Sequence, residues 1–204
     1  MRSALTMLIA VCAAVCSLAW ATDGFSALTS EQARRISISR QPVAVPDATL
    51  RMADGSQKSL RDLLINPSGS SIVGFFYSRC NSICVTMGND LRKLQQLITD
   101  KGLEGKVQLL SISFDAHNDN TQVLSAYGDR MQARDTIWQI AAAEQGESLA
   151  VVLDTFGIRV IDDGKGGFVH NSAYHVVGAR GDLEAIVDLA NPMRALSIAN
   201  GELK

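Results

Sequence analysis

A run of seven residues, Ser71 to Tyr77, is almost wholly apolar. Continuous apolar runs of this length are typical of strands that are buried on both faces of a sheet, so we assign Phe76 and Tyr77, two of its three aromatic residues, to the core. Apolar residues then recur at helical spacing from Ile83 to Thr99, which predicts an amphipathic helix. A second apolar run, Val107 to Phe114, predicts another buried strand. This succession of strand, helix and strand indicates an α/β architecture.

The rest of the chain adds shorter elements around these strands. Asp54-Gly55 is a hairpin turn signal between two short segments, so a β-hairpin precedes the first buried strand. The further predicted elements are helices at 120–131 and 144–156, strands at 172–177 and 183–187, and a short helix that opens at Asn191-Pro192. We predict an α/β fold with a central mixed sheet flanked by helices and an N-terminal β-hairpin.

The first 21 residues have the pattern of an export signal. Arg2 supplies a positive charge, the residues after it are almost wholly apolar, and Ala19-Trp20-Ala21 fits the rule for signal-peptidase cleavage. We predict a cleaved signal peptide at 1–21, a lead-in segment at 22–45 and a single domain at 46–204. The alternative is an uncleaved membrane anchor, for which the apolar run is short. Export places the domain outside the cytoplasm, in the periplasm if the source is a Gram-negative bacterium.

The positions of the cysteines are informative. Cys12 and Cys16 lie in the predicted signal, so only Cys80 and Cys84 remain in the mature chain. A pair retained in an oxidising compartment is a disulfide, a redox couple or a metal site. The pair lies between the end of the first buried strand and the start of a helix, and a helix start is expected to lower the pKa of a thiol. The i,i+4 spacing places both sulfurs on one side of a helical turn.

Three histidines are candidates for completing such a site. His117 follows the second buried strand and is expected at the same edge of the sheet as the cysteines. His170 comes just before the strand at 172–177. If that strand is antiparallel to the cysteine strand, its start lies beside the end of the cysteine strand, and His170 faces the two sulfurs. His175 falls inside the strand and is predicted to be structural.

Four motifs occur in order along the chain. They are Phe75-Phe76-Tyr77-Ser78-Arg79-Cys80-x-x-x-Cys84, Ser111-Ile112-Ser113-Phe114-Asp115, His170, and Gly181 downstream of it. In this order, behind an export signal, they resemble the Sco/SenC family of exported copper-binding proteins, which assist assembly of the copper centre of cytochrome c oxidase. The resemblance extends from the hairpin near Ala48 to about Asn200.

The resemblance implies a thioredoxin-like fold that binds copper through Cys80, Cys84 and His170. Asp115 corresponds to the family's acidic residue after the second strand, and we expect it to lie beside the ligands or to serve as a docking carboxylate, with His117 nearby as a reserve ligand. Cu(I) accepts two thiolates, and Cu(II) accepts thiolate and imidazole, so the ligand set suits copper in both states. The implied function is that of a metallochaperone or thiol redox factor, whose partner is a cytochrome c oxidase subunit or another copper or thiol protein.

Other readings of the same residues stay open. Zinc also binds thiolate and imidazole. A thiol–disulfide oxidoreductase would use Cys80 as the attacking thiolate and Cys84 as the resolving thiol, although three residues rather than two separate them. A third possibility is an interaction domain that is stabilised by a disulfide between the two cysteines. A net charge of −2 without a long basic run predicts no nucleic-acid partner. We expect a monomer, with membrane contact only if the signal is retained.

Overall fold

The computed structural model describes residues 2–22, 24, 29–80 and 83–203. The chain divides into two compact units, Met1–Gln41 and Pro42–Lys204. None of the helices formed by the described residues combines the length and the apolarity that a membrane span requires. The cleavage of a signal peptide and the domain start at residue 46 stay predictions.

The described residues of the first unit form two helices, α1 (Arg2–Ala21) and α2 (Ser30–Arg40). Helix α2 lies within the segment that the sequence indicates only as a polar lead-in. It begins with a capping box: the Thr29 hydroxyl accepts a hydrogen bond from the Gln32 N–H, and the Gln32 side chain accepts one from the Thr29 N–H. These bonds satisfy two of the N–H groups that a helix start leaves unpaired.

The second unit, in its described residues, forms an eight-stranded mixed sheet and a separate two-stranded ribbon. The strands are β1 (Val43–Ala44), β2 (Thr49–Met52), β3 (Gln57–Ser59), β4 (Ser70–Phe76), β5 (Val107–Ser113), β6 (Trp138–Ala143), β7 (Val160–Asp162), β8 (Phe168–His170), β9 (Ala173–Val177) and β10 (Asp182–Asp188). The helices are α3 (Leu60–Leu64), α4 (Ile83–Asp100), α5 (Thr121–Met131), α6 (Glu147–Phe156) and α7 (Pro192–Ala199). The large sheet has the order β1-β10-β9-β4-β5-β6-β2-β3, and β7 pairs with β8. The predicted α/β fold is confirmed, including the N-terminal hairpin β2–β3.

The centre of the sheet is the parallel group β4, β5 and β6. Phe75 and Phe76 are adjacent in β4 and are 1% and 0% exposed. Adjacent residues of a strand point to opposite faces of a sheet, so both faces of β4 are covered. This burial explains why the sequence of β4 is continuously apolar instead of alternating.

Strand β6 is an element that the sequence does not predict. Its residues Trp138-Gln-Ile-Ala-Ala-Ala143 lie between the two predicted helices and contain three alanines, which have low strand propensity. In the fold, β6 joins β5 to the hairpin strand β2. Trp138 is fully buried, and its indole N–H donates to the Ser111 hydroxyl at 3.0 Å. Burial in the centre of the sheet therefore outweighs local propensity here.

Strand β9 determines where the loop before it lies. It pairs antiparallel with β4, with Ser71 opposite Val177 and Val73 opposite His175. The start of β9 consequently lies beside the end of β4. This is the arrangement that is expected to make His170 face the two sulfurs. His175 is 1% exposed, and its Nε2 lies 2.9 Å from the Phe156 carbonyl oxygen. This placement agrees with a structural role for His175.

Candidate metal centre

The two cysteines lie in the turn that joins β4 to α4. The chain turns after Tyr77, whose carbonyl oxygen accepts a hydrogen bond from the Cys80 N–H at 3.2 Å. Helix α4 starts at Ile83, and the Cys84 N–H points to the Cys80 sulfur at 3.4 Å. Both cysteines are free thiols and are buried, at 6% and 2% exposure. The sulfurs therefore lie together below the surface at the carboxyl end of the central strand.

His170 completes this group from the end of β8. Its Nε2 lies 3.4 Å from the Cys84 sulfur. The ligand atoms of Cys80, Cys84 and His170 all lie within 4.8 Å of one another. His170 Nδ1 lies 2.9 Å from the Asn171 carbonyl oxygen, which can only accept a hydrogen bond. Nδ1 therefore carries the proton, and the Nε2 lone pair faces the sulfurs, as a metal ligand requires.

Burial dominates the protonation of the site. The pKa of the Cys84 thiol is raised, first by burial and then by its hydrogen bond with Cys80. The sequence-based expectation of a lowered pKa at the helix start is therefore wrong for Cys84, because desolvation outweighs the backbone hydrogen bonds that lower its pKa. Burial also lowers the pKa of His170, against the opposing effect of the Asn171 carbonyl. At neutral pH the site consequently presents a protonated thiol at Cys84 and a neutral imidazole.

Asp115 and His117 lie outside the group of three ligands. The Asp115 carboxylate is buried and forms an ion pair with Arg79 at 3.1 Å, and it also accepts from the Asn118 amide at 2.9 Å. Asp115 therefore contacts Arg79, the residue next to Cys80, and not His170. His117 is exposed in the same loop, so the structure offers no support for a ligand role.

Asp119 is a buried residue near the site that the sequence analysis does not identify. It is 0% exposed, and its carboxylate accepts hydrogen bonds from the Ser78 N–H at 2.9 Å, the Ser113 hydroxyl at 2.5 Å and the Ser78 hydroxyl. Arg51 donates to the Asp119 carbonyl oxygen at 3.3 Å. These bonds tie the cysteine turn to the loop after β5. In the sequence Asp119 is one polar residue in a polar loop, and nothing there distinguishes it.

Aromatic rings surround the His170 imidazole. The ring centroids of Phe114 and Tyr77 lie 5.0 and 6.0 Å from that of His170. Phe168 packs edge-on against both of these aromatic rings. Phe76 is a core residue as predicted and stacks on Tyr127 at 4.1 Å. Tyr77 is also buried but contacts the histidine, so its assignment to the core alone was incomplete.

Together these features define a thioredoxin-like α/β domain in which two buried cysteines and a half-buried histidine form a group of the kind that binds soft metal ions. The chain belongs to the SCO1/SenC family, whose profile matches residues 53–199. The predicted family resemblance is thus confirmed. A comparison with curated protein sequences found no significant match.

Solved structures of the same fold include three informative relatives. A SCO1/SenC family lipoprotein from Bacillus anthracis str. Ames has 17% identity and a TM-score of 0.66, covering 78% of this chain and 98% of its own. Copper-bound ScoI from Arabidopsis thaliana has 13% identity and a TM-score of 0.65, covering 79% and 100%. BsSco, described as a member of the Sco family of cytochrome c oxidase assembly proteins, has 19% identity and a TM-score of 0.59, covering 78% and 96%. At these identities the likeness concerns the fold.

Proposed function

We propose that this chain binds copper through Cys80, Cys84 and His170 and assists assembly of the copper centre of cytochrome c oxidase. The observation that carries the proposal is the convergence of two sulfurs and one imidazole nitrogen within 4.8 Å. The copper-bound relative and the oxidase-assembly relative of the same fold support the choice of metal and process. The signal-like first 21 residues support a location outside the cytoplasm.

The residues of the site suit a protein that takes up and hands on copper. Bound copper would supply a Cu(II)/Cu(I) couple, for which two thiolates suffice in the reduced state and imidazole adds a ligand in the oxidised state. The Cys84 thiol, protonated because of its burial, must release its proton when metal binds. His170 needs no deprotonation, since its Nε2 already carries the lone pair.

A metal titration tests this proposal. The reduced, metal-free full chain is titrated with Cu(I) and with Cu(II), and zinc is added as a competitor. We expect one copper per chain and a sulfur-to-Cu(II) charge-transfer band. Cys84→Ser should retain no copper, and His170→Ala should lose the band. His117→Ala removes an exposed histidine and is the matched control, which should behave as wild type. Wild-type copper content in Cys84→Ser would contradict the ligand assignment, and preferential zinc retention would contradict the choice of metal.

Thiol–disulfide exchange is a second candidate function. Cys80 and Cys84 are both free thiols, and their sulfurs lie within 4.8 Å of each other, so the pair is available for disulfide formation. In such a step the two thiols would lose two electrons and two protons, and a disulfide of the partner would be reduced to two thiols. Turnover of a disulfide substrate that persists in His170→Ala, together with copper binding unchanged by that substitution, would favour this function.

A further inference from the structure

Tyr77 contacts both halves of the proposed ligand set. Through its backbone, its carbonyl oxygen accepts the Cys80 N–H at 3.2 Å. Through its side chain, its hydroxyl donates to the Phe168 carbonyl oxygen at 3.2 Å and accepts from the Phe168 N–H at 3.3 Å. Phe168 is two residues before His170 on β8. A single residue thus joins the cysteine turn to the strand that carries the histidine.

The bonds to Phe168 replace a missing strand partner. In the two-stranded ribbon, β8 pairs with β7 through only three residue pairs, from Asp162 opposite Phe168 to Val160 opposite His170. The Tyr77 hydroxyl pairs with both backbone groups of Phe168, as a neighbouring strand would. Beyond His170, Asn171 is held separately, because its side chain accepts from the Arg159 N–H at 2.7 Å. His170 therefore lies between two anchored residues.

We propose that the Tyr77 hydroxyl is a positioning group, which holds the His170 imidazole at the two sulfurs and thereby favours Cu(II) binding. This inference rests on the proposed copper site. Tyr77 itself is not a ligand. Its phenyl ring packs beside the imidazole at a centroid distance of 6.0 Å, and we expect removal of the hydroxyl to keep this packing while breaking both hydrogen bonds to Phe168.

Comparing Cu(I) binding with Cu(II) binding distinguishes this positioning role of Tyr77 from a general effect on folding. Cu(I) is satisfied by the two thiolates, whereas Cu(II) depends on the imidazole as well. A displaced His170 consequently weakens Cu(II) binding and spares Cu(I) binding. Loss of a group that orients a metal ligand typically lowers metal affinity about 10- to 100-fold, and we expect the lower end because the ring of Tyr77 remains.

The experiment is a double-mutant cycle on the full chain. Affinities for Cu(I) and Cu(II) are measured for wild type, Tyr77→Phe, His170→Ala and the double variant. We expect Tyr77→Phe to weaken Cu(II) binding about tenfold, to leave Cu(I) binding unchanged, and to add no loss when His170 is already alanine. Tyr174→Phe is the matched control, since it removes another buried hydroxyl, one that donates to Asp90 at 3.3 Å. It should leave both affinities unchanged.

Three results would overturn the inference. The first is an unchanged Cu(II) affinity in Tyr77→Phe, and the second is an equal loss of Cu(I) and Cu(II) affinity in that variant. The third is a Tyr77→Phe substitution that lowers Cu(II) affinity as much in the His170→Ala background as in wild type. Retained Cu(I) binding shows that a variant is folded at its cysteine turn. Failure of the proposed function gives a different result, because wild type and His170→Ala would then bind copper equally or not at all.

Discussion

Replacement of Asp119 by alanine should destabilise the metal-free protein by about 4 kcal/mol. The substitution leaves the Ser78 N–H buried without an acceptor, and this N–H cannot rotate to another partner. An unpaired buried donor costs about 1–3 kcal/mol. The hydroxyls of Ser78 and Ser113 also lose bonds to a charged acceptor, worth about 1–2 kcal/mol each after they turn to weaker partners. Against a typical total of about 5–15 kcal/mol, this is a large fraction of the stability.

Urea unfolding of the reduced, metal-free full chain measures this loss. Asp119→Asn retains one oxygen acceptor and the shape of the side chain, so its cost should be about 2 kcal/mol. Ser113→Ala removes a single donor and should cost about 1 kcal/mol. The loss in free energy of unfolding should be largest for Asp119→Ala, smaller for Asp119→Asn and smallest for Ser113→Ala. A free energy of unfolding for Asp119→Ala within about 1 kcal/mol of the wild-type value would contradict this prediction. It would mean that the cost of desolvating the carboxylate cancels the gain from its hydrogen bonds.

Three further substitutions test the packing of the sheet and its helices. Gly69→Ala should cost more than about 3 kcal/mol, because its Cβ would lie 1.9 Å from the backbone oxygen of Lys106, and thermal unfolding would measure the loss. Gly128→Ala should stabilise helix α5 by up to about 1 kcal/mol, because its Cβ would meet no atom closer than 3.5 Å, and urea unfolding would show it. Ser111→Ala should cost about 1–3 kcal/mol by the same measurement, because the Trp138 indole N–H loses its acceptor.

Each of these substitutions has a result that would contradict it. A Gly69→Ala protein as stable as wild type would mean that the turn before β4 can move aside. A destabilised Gly128→Ala would mean that the helix has no room for a methyl group. Ser111→Ala at wild-type stability would mean that the indole N–H finds another acceptor inside the sheet.

Where the sequence signal is strong and local, the prediction from sequence succeeds. Strand β4 and helix α4 were predicted within two residues of their observed bounds, because a continuous apolar run and a helical period leave few alternatives. The approach of His170 to the cysteines is derived on the condition that the strand after it is antiparallel to the cysteine strand, and the family resemblance implies the same placement. That derivation holds because β9 pairs antiparallel with β4, a relation that places distant residues together without any direct signal between them.

Where the tertiary environment decides, the prediction from sequence fails. Strand β6 is rich in alanine and is a strand only because it fills the place between β5 and β2. The ribbon β7–β8 was not predicted, since its exposed Ile161 and Val169 lie on either side of a glycine-rich turn and give no core pattern. The sign of the pKa shift at Cys84 depends on burial, which the helix-start argument does not contain.

The ribbon β7–β8 is separate from the eight-stranded sheet, and this separation has a consequence for hydrogen exchange. Opening three residue pairs exposes far less apolar surface than opening the sheet, so the amides of the ribbon should exchange at a lower free energy than those of β4 and β5. His170 belongs to the ribbon, whereas Cys80 lies in the turn after β4 and Cys84 lies in helix α4. Of the three proposed ligands, the imidazole is therefore the one carried by the ribbon, and we expect it to leave the site when the ribbon opens and the bonds between Tyr77 and Phe168 break.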